Sequence, residues 1–152
     1  MNPTTKPDEN TPERRPVFID SCAVNRFALL NVDPTKDLEG SAFEVAYTPG
    51  LAAEYRKALA HRFVEPHIKK LLGTLLEKGV LRSAETPAED ADRHLVMLSA
   101  TEIVITLDRK PPWNRAKDNA GLIFWPDIEA ELRQHQSLRP ILSARAAVMG
   151  GR

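Results

Sequence analysis

The stretch Val17-Phe18-Ile19-Asp20-Ser21 decides the fold, because an apolar run there ends abruptly in a carboxylate and a small polar residue. Such a run is typical of a buried parallel strand that brings its acid to the carboxyl edge of a sheet. The same pattern returns in Ile103-Val104-Ile105-Thr106-Leu107-Asp108. Ligands of open α/β sheets bind outside the carboxyl ends of the strands, so two strands that end in acids predict a functional site.

The composition is that of one globular domain. The chain has 152 residues, of which 42% are hydrophobic and 28% are charged, and its formal net charge is zero. A nucleic-acid partner would therefore be held by local basic patches. The lack of a long apolar run and the polar, proline-rich start predict a cytoplasmic protein with no membrane partner. Cys22 is the single cysteine, which excludes an internal disulfide and a paired-cysteine zinc motif.

The distribution of prolines and apolar residues divides the chain into three parts. Residues 1–15 contain three prolines among polar residues and no apolar periodicity, so we expect a disordered tail. Residues 16–136 contain the periodic signals of an ordered domain. Residues 137–152 have weak signals, which predict a C-terminal extension that is either helical or disordered.

Helices and strands alternate along the predicted domain. Besides the two strands that end in acids, the predicted strands are at 43–47 and 121–125. The predicted helices are at 22–30, capped by Ser21, at 49–59, 66–78 and 93–100, and from Pro126. The predicted connections are a polar segment at 31–40, a loop at 83–90 and a basic loop at 109–115. The helix at 66–78 has the cleanest apolar stripe, which we expect to pack on the sheet. The helix at 93–100 is apolar nearly all round, which predicts a buried helix. This order predicts an α/β fold, a three-layer α/β/α sandwich with a central, mainly parallel sheet.

Four acids follow or adjoin the predicted strand ends, namely Asp20, Glu54, Asp92 and Asp108. Carboxylate oxygens without imidazole or thiolate suit Mg²⁺ or Mn²⁺, which activate water and bind phosphodiesters. Each acid also has a structural interpretation: Asp20 could end a strand, Glu54 could be a solvated helix charge, Asp92 could cap a helix and Asp108 could start a turn. Their recurrence after strand ends favours a shared metal site.

The spaced acids resemble the successive motifs of PIN-domain nucleases. The resemblance covers residues 17–125 and rests on Phe18-Ile19-Asp20-Ser21-Cys22, Thr48-Pro49 with Glu54, Asp92 before an apolar helix, and Val104-Ile105-Thr106-Leu107-Asp108. It implies a three-layer fold, metal-dependent cleavage of single-stranded RNA, and often a place as the toxin of a toxin–antitoxin pair. In this resemblance the four acids match the acidic quartet, Ser21 matches the small hydroxyl position after the first acid, and Thr106 matches the hydroxyl before the last.

Two features depart from the PIN pattern. Asp90 lies in the same first turn as Asp92, and we assign Asp92 as the third acid because it directly adjoins the apolar segment. The segment Arg109-Lys110-Pro111-Pro112-Trp113 is not a typical continuation after the last acid. We expect Arg109 to bind phosphate there. We expect Trp113 either to stack on an unpaired base or to pack the loop against the domain.

The resulting prediction is a PIN-like ribonuclease with one or two divalent ions. Asp20 and Asp108 are the expected primary ligands, Asp92 is a second-site or water-mediated ligand, and Glu54 is a ligand or orients the attacking water. The expected partners are single-stranded RNA, an antitoxin protein where the chain belongs to such a pair, and a second copy in a homodimer.

Other classes of protein share parts of this pattern. A non-catalytic PIN-like module that binds RNA or protein is the main alternative. A haloacid-dehalogenase-type phosphotransferase would require an acid where Cys22 stands. Cysteine catalysis would need a histidine placed to act with Cys22, and the sequence places none.

Overall fold

The computed structural model describes residues 13–82 and 91–150 as a five-stranded sheet with helices around it. The strands are β1 (Arg15–Ile19), β2 (Phe43–Tyr47), β3 (Val80–Leu81), β4 (Ile103–Thr106) and β5 (Leu122–Phe124). The helices are α1 (Ser21–Leu29), α2 (Pro34–Asp37), α3 (Pro49–Ala60), α4 (Pro66–Lys78), α5 (Ala91–Leu98), α6 (Trp125–His135) and α7 (Arg139–Val148), with a 3-10 helix at Trp113–Ala116.

All strand pairs are parallel, in the order β3-β2-β1-β4-β5. Phe18 lies opposite Ala46 on one side and Val104 on the other. Both faces of the sheet are covered at its centre, since every residue of β4 is buried. This is the predicted three-layer α/β/α sandwich. The strand order reverses between β1 and β4, so the two strands that end in acids stand on either side of the topological switch point.

The apolar stripes of the helices form the core as their periodicity predicts. In α4 the buried residues are Ile68, Leu71, Leu72 and Leu75. The ring of Phe27 in α1 meets that of Trp125 at the start of α6 edge-on, with centroids 4.8 Å apart. Helices α1, α3 and α4 contact one another. These contacts fix α1 and α3, whose first turns follow the ends of β1 and β2.

Helix α5 differs from its predicted burial. Leu95 is fully buried, but Met97 is 76% exposed. The helix contacts β4, α3 and the 3-10 helix, so only part of its surface is covered. The prediction of a helix buried all round was therefore wrong, because consecutive apolar residues do not tell which side of a helix has a partner. The predicted loop at 83–90 lies outside the described residues.

The ordered domain extends past both predicted boundaries. Ile141, Leu142 and Ala146 of α7 belong to the core, so the segment after residue 136 is helical and part of the domain. Asp37 of α2 holds its start by accepting hydrogen bonds from Ser137 Oγ at 2.9 Å and Leu138 N at 2.6 Å.

At the other end, Arg15 begins β1 and Arg14 donates to the carbonyl oxygens of Leu38 and Ser41. These two residues of the predicted tail are therefore structured, whereas residues 1–12 lie outside the described range. In the part of the chain that the structure describes, no helix is long and apolar enough to cross a membrane.

Gly121 is required where β5 begins. A Cβ there would stand 1.9 Å from the carbonyl oxygen of Glu102 and 2.8 Å from that of Ser99. We predict that Gly121→Ala lowers the free energy of unfolding by more than about 2 kcal/mol, because backbone atoms must move. Gly73→Ala in α4 is the matched control: its Cβ meets nothing within 4 Å, and helix propensity predicts a gain of about 1 kcal/mol. Urea unfolding measures both, and equal stabilities would contradict the prediction.

Candidate active site

Asp20 occupies the junction between β1 and α1. Its backbone N–H donates to Ile105 O at 2.9 Å, which continues the pairing of β1 with β4 one residue beyond the strand. Its backbone is extended, and its Oδ1 accepts from Ser21 N at 2.9 Å, so Asp20 is the N-cap of α1. The expectation that Ser21 caps this helix was wrong, because the chain turns helical at Ser21 itself.

The hydroxyl of Thr106, at the end of β4, connects the two strand-end acids. Thr106 Oγ1 donates to Asp20 Oδ2 at 2.8 Å and accepts from the backbone N–H of Asp108 at 3.1 Å. Thr106 is fully buried. The carboxylate after β1 and the backbone that carries the carboxylate after β4 are thus fixed by one side chain.

Cys22, in the first turn of α1, completes the surroundings of Asp20. Its Sγ donates to Asp20 Oδ2 at 3.2 Å and lies 3.6 Å from Thr106 Oγ1. Burial, together with the negative charge of Asp20, raises the pKa of the Cys22 thiol to about 11. The thiol therefore remains protonated near neutral pH and acts as a hydrogen-bond donor, not as a nucleophile.

Burial raises the pKa of Asp20 above its ordinary value of 3.8. The side chain is 6% exposed. The hydrogen bonds from Thr106, Cys22 and Ser21 act in the opposite direction, and the charge of Asp108 raises the pKa further. A carboxylate held in this way is costly when ionised, which is typical of a functional position.

Asp92, in the first turn of α5, lies within the electrostatic reach of the other three acids. Its pKa is raised first by partial burial, and then by the charges of Asp20, Asp108 and Glu54. The structure therefore brings the four predicted acids into one region. The alternative third acid, Asp90, lies outside the described residues.

Glu54 is placed by its neighbours in α3. Thr48 caps this helix by accepting from Leu51 N at 3.0 Å. The fully buried Tyr55 donates its hydroxyl to the carbonyl oxygen of Ile19, which anchors α3 to the end of β1. Glu54 stands next to this anchor with its side chain exposed. Sequence reasoning missed Tyr55, although a tyrosine directly after the acid in an alanine-rich helix was the available signal.

The basic loop after Asp108 is folded against the domain. Asp108 Oδ1 accepts from Lys110 N at 2.8 Å, so this acid starts a turn as well as facing the site. The Arg109 guanidinium lies over the ring of Phe124, 4.8 Å from its centroid, and pairs with Asp127 at 3.5 Å. Trp113 is fully buried. The structure thus favours packing of the loop over base stacking as the role of Trp113.

The oxygen atoms of the four acids are chemically suited to a hard divalent cation, but the side chains do not converge on one point. Among the described residues, no three acids, histidines or cysteines stand close enough together to hold a metal ion. Asp20 Oδ1 accepts one hydrogen bond, from Ser21 N, and keeps a lone pair for another partner. Asp92 and Glu54 are exposed. Like charges at short range repel one another, which disfavours close approach of several ionised carboxylates without a cation.

A groove away from the acid cluster carries less chemistry. A groove of about 560 Å³ is lined by residues of α1, α2 and α4, among them Lys36, Asp37 and Lys70. Its acid Asp37 already bonds to Ser137 and Leu138 at the start of α7. None of the four strand-end acids lines it. The acids at the carboxyl edge of the sheet therefore remain the candidate functional site.

No protein-family model and no curated protein matches this chain. The assignment of function therefore rests on the geometry and electrostatics of the acid cluster.

Removing the Thr106 hydroxyl should destabilise the fold. Thr106→Val keeps the shape but leaves Asp20 Oδ2 with fewer donors and the Asp108 N–H without its acceptor. We expect a loss of about 1–3 kcal/mol in the free energy of unfolding, measured in urea with chelator present. Thr106→Ser, which retains the hydroxyl, is the control. A valine variant as stable as the serine variant would show that these hydrogen bonds carry little energy.

The raised pKa of Asp20 predicts a pH-dependent difference between wild type and Asp20→Asn. The folded protein binds a proton at Asp20 more tightly than the unfolded chain does, so ionisation of Asp20 costs stability. This cost is absent below pH 3.8, the ordinary value, and complete above the raised pKa. The stability of Asp20→Asn relative to wild type should therefore increase as the pH rises from 3.8 through the raised pKa of Asp20. Urea unfolding without metal measures this difference, and a decrease over that range would refute the assignment.

Proposed function

We propose that this chain is a divalent-metal-dependent ribonuclease that hydrolyses phosphodiester bonds of single-stranded RNA, on the pattern of PIN-domain nucleases. One observation carries the proposal: Thr106 fixes Asp20 and the backbone of Asp108 at the switch point of the sheet, with Asp92 inside their electric field. Buried and mutually repelling carboxylates in such a place are costly for stability, and a bound cation would offset that cost.

Each acid has a role in this proposal. Asp20 and Asp108 would hold Mg²⁺ or Mn²⁺, and Asp92 would bind a second ion or a water of the first. The ion supplies activation of water and neutralisation of phosphate charge. Glu54, exposed on α3, orients the attacking water and accepts its proton. Thr106, Cys22 and Ser21 N keep the Asp20 carboxylate in one orientation throughout.

The rim of the site supports a polyanionic substrate. Arg109, Lys110 and Arg115 follow Asp108 and are all exposed. The Arg109–Asp127 pair is open to solvent, with side chains 58% and 64% exposed, so it is weak and exchanges readily for phosphate. Single-stranded RNA as the substrate, an antitoxin partner, a homodimer and a cytoplasmic location belong to the same proposal and rest on the resemblance to PIN-domain nucleases.

A non-catalytic module that binds RNA or protein is the second candidate. It is favoured by the spacing of the acids, since no three of the described metal-binding side chains stand within reach of one cation. Such a module would have the same fold and basic rim but no response to divalent ions. The two candidates therefore differ in a single measurable property.

Metal-dependent stabilisation tests the proposal without knowledge of the RNA target. A cation that binds only the folded state adds about 2.7 kcal/mol at a hundred times its dissociation constant. For a chain of this size the melting temperature should rise by about 5–10 °C. We predict that wild type shows this rise with Mn²⁺ and cleaves single-stranded RNA. Asp20→Asn and Asp108→Asn should lose most of the rise and the cleavage.

Asp118→Asn is the matched control, because Asp118 is an exposed acid in the connection between the 3-10 helix and β5. It should keep the full Mn²⁺ response and the cleavage activity. A wild type indifferent to millimolar Mn²⁺ and Mg²⁺ would exclude the nuclease and favour the binding module. Equal losses in Asp118→Asn and Asp20→Asn would show that the effect is one of surface charge.

A further inference from the structure

Within residues 13–82 and 91–150, the indole N–H of Trp113 is a buried donor for which no acceptor is present. The side chain is fully buried, and its Nε1 has no hydrogen-bond partner among the residues that the structure describes. Buried N–H groups are almost always paired, because leaving water without a new partner costs free energy. Trp125, the other tryptophan, follows this rule by donating from Nε1 to Glu129 Oε1 at 2.9 Å.

The carboxylate of Asp92 is the candidate acceptor for the Trp113 N–H. The 3-10 helix at Trp113–Ala116 packs against α5, whose first turn carries Asp92. Burial and the charges of the other acids raise the pKa of the Asp92 carboxyl, and the neighbouring Trp113 N–H opposes that rise. The two groups are near each other but are not at hydrogen-bonding geometry.

Trp113 is itself fixed relative to Asp108. Its backbone N–H donates to Lys110 O at 2.7 Å, and the backbone N–H of Lys110 donates to Asp108 Oδ1 at 2.8 Å. The turn after β4 therefore links the Asp108 carboxylate to the indole through two short hydrogen bonds. A donor held in this way can set the position of Asp92 relative to Asp108.

We propose that Trp113 is a positioning residue, whose indole N–H donates to one carboxylate oxygen of Asp92 and leaves the other oxygen for a divalent cation. The proposal rests on the proposed function, because it assigns Asp92 to the same metal site. It replaces the idea that Trp113 stacks on a base. Residues that bond to a ligating carboxylate typically change metal affinity by about 10–100-fold when they are replaced.

The two tryptophans make the proposal directly observable by NMR. The chain should give two indole N–H signals, one from Trp113 and one from Trp125, which Trp113→Phe assigns. On addition of Mg²⁺ to wild type, we expect the Trp113 proton to move downfield and the Trp125 proton, already bonded to Glu129, to stay in place. Asp92→Ala should abolish the movement and also shift the Trp113 signal in metal-free protein.

Affinity measurements complete the test. Trp113→Phe keeps a buried ring and loses the donor, so its Mg²⁺ affinity should fall about tenfold or more. Trp125→Phe also removes a buried indole N–H, and should bind Mg²⁺ as wild type does. A Trp113→Phe protein with wild-type Mg²⁺ affinity would overturn the proposal. If that variant does not fold, the spectra of Asp92→Ala decide.

Failure of this inference and failure of the proposed function give different results. A wild type that binds no Mg²⁺ or Mn²⁺ overturns the metal site and the positioning role together. A wild type that binds Mg²⁺ while its Trp113 signal ignores both the ion and Asp92→Ala leaves the nuclease proposal standing and overturns only the role of Trp113.

Discussion

The hydrogen bond from the Thr106 hydroxyl to the Asp20 carboxylate joins the ends of the two central strands, and the rest of the site depends on it. The same oxygen accepts the backbone N–H of Asp108, so one buried side chain sets the relation between two acids 88 residues apart in the chain. A shift of β1 against β4 by one residue would turn these side chains to the other face of the sheet. The register of the β1–β4 pair therefore determines the geometry of the site.

The elements around Asp20 fix the position of a carboxylate whose ionisation burial disfavours. Tyr55 fixes α3 to the end of β1, and Cys22 adds a donor that stays protonated because its pKa is about 11. The basic rim lies outside the acids, on the loop that follows Asp108. In the proposed function, the acids would hold the divalent cation and the exposed cations of this loop would bind the phosphodiester. Burial, followed by the charges of neighbouring acids, raises the pKa values of Asp20 and Asp92.

The elements that could be predicted are those with a clear local pattern of apolar residues, proline and glycine. The observed bounds of β2, Phe43–Tyr47, and of α4, Pro66–Lys78, are those that the sequence predicts. β3 was missed because two exposed residues carry no alternation, and α7 was left open because its signals are weak without its contacts to the core. The strand-end acids could be found from the sequence. Tyr55 has a local signal in its place directly after Glu54, but its hydrogen bond to Ile19 and the burial of Trp113 depend on contacts between distant segments.

The central claim is that the carboxyl ends of β1 and β4 form a divalent-cation site. Paramagnetic broadening of backbone amide NMR signals by substoichiometric Mn²⁺ tests it most directly, because the effect falls steeply with distance from the ion. The account predicts that the signals of Ser21, Cys22 and Asp108 broaden first, that those at the amino ends of β1 and β4, such as Arg15 and Ile103, broaden later, and that Asp20→Asn removes this order. Broadening centred on other acids, or unchanged by Asp20→Asn, would contradict the account.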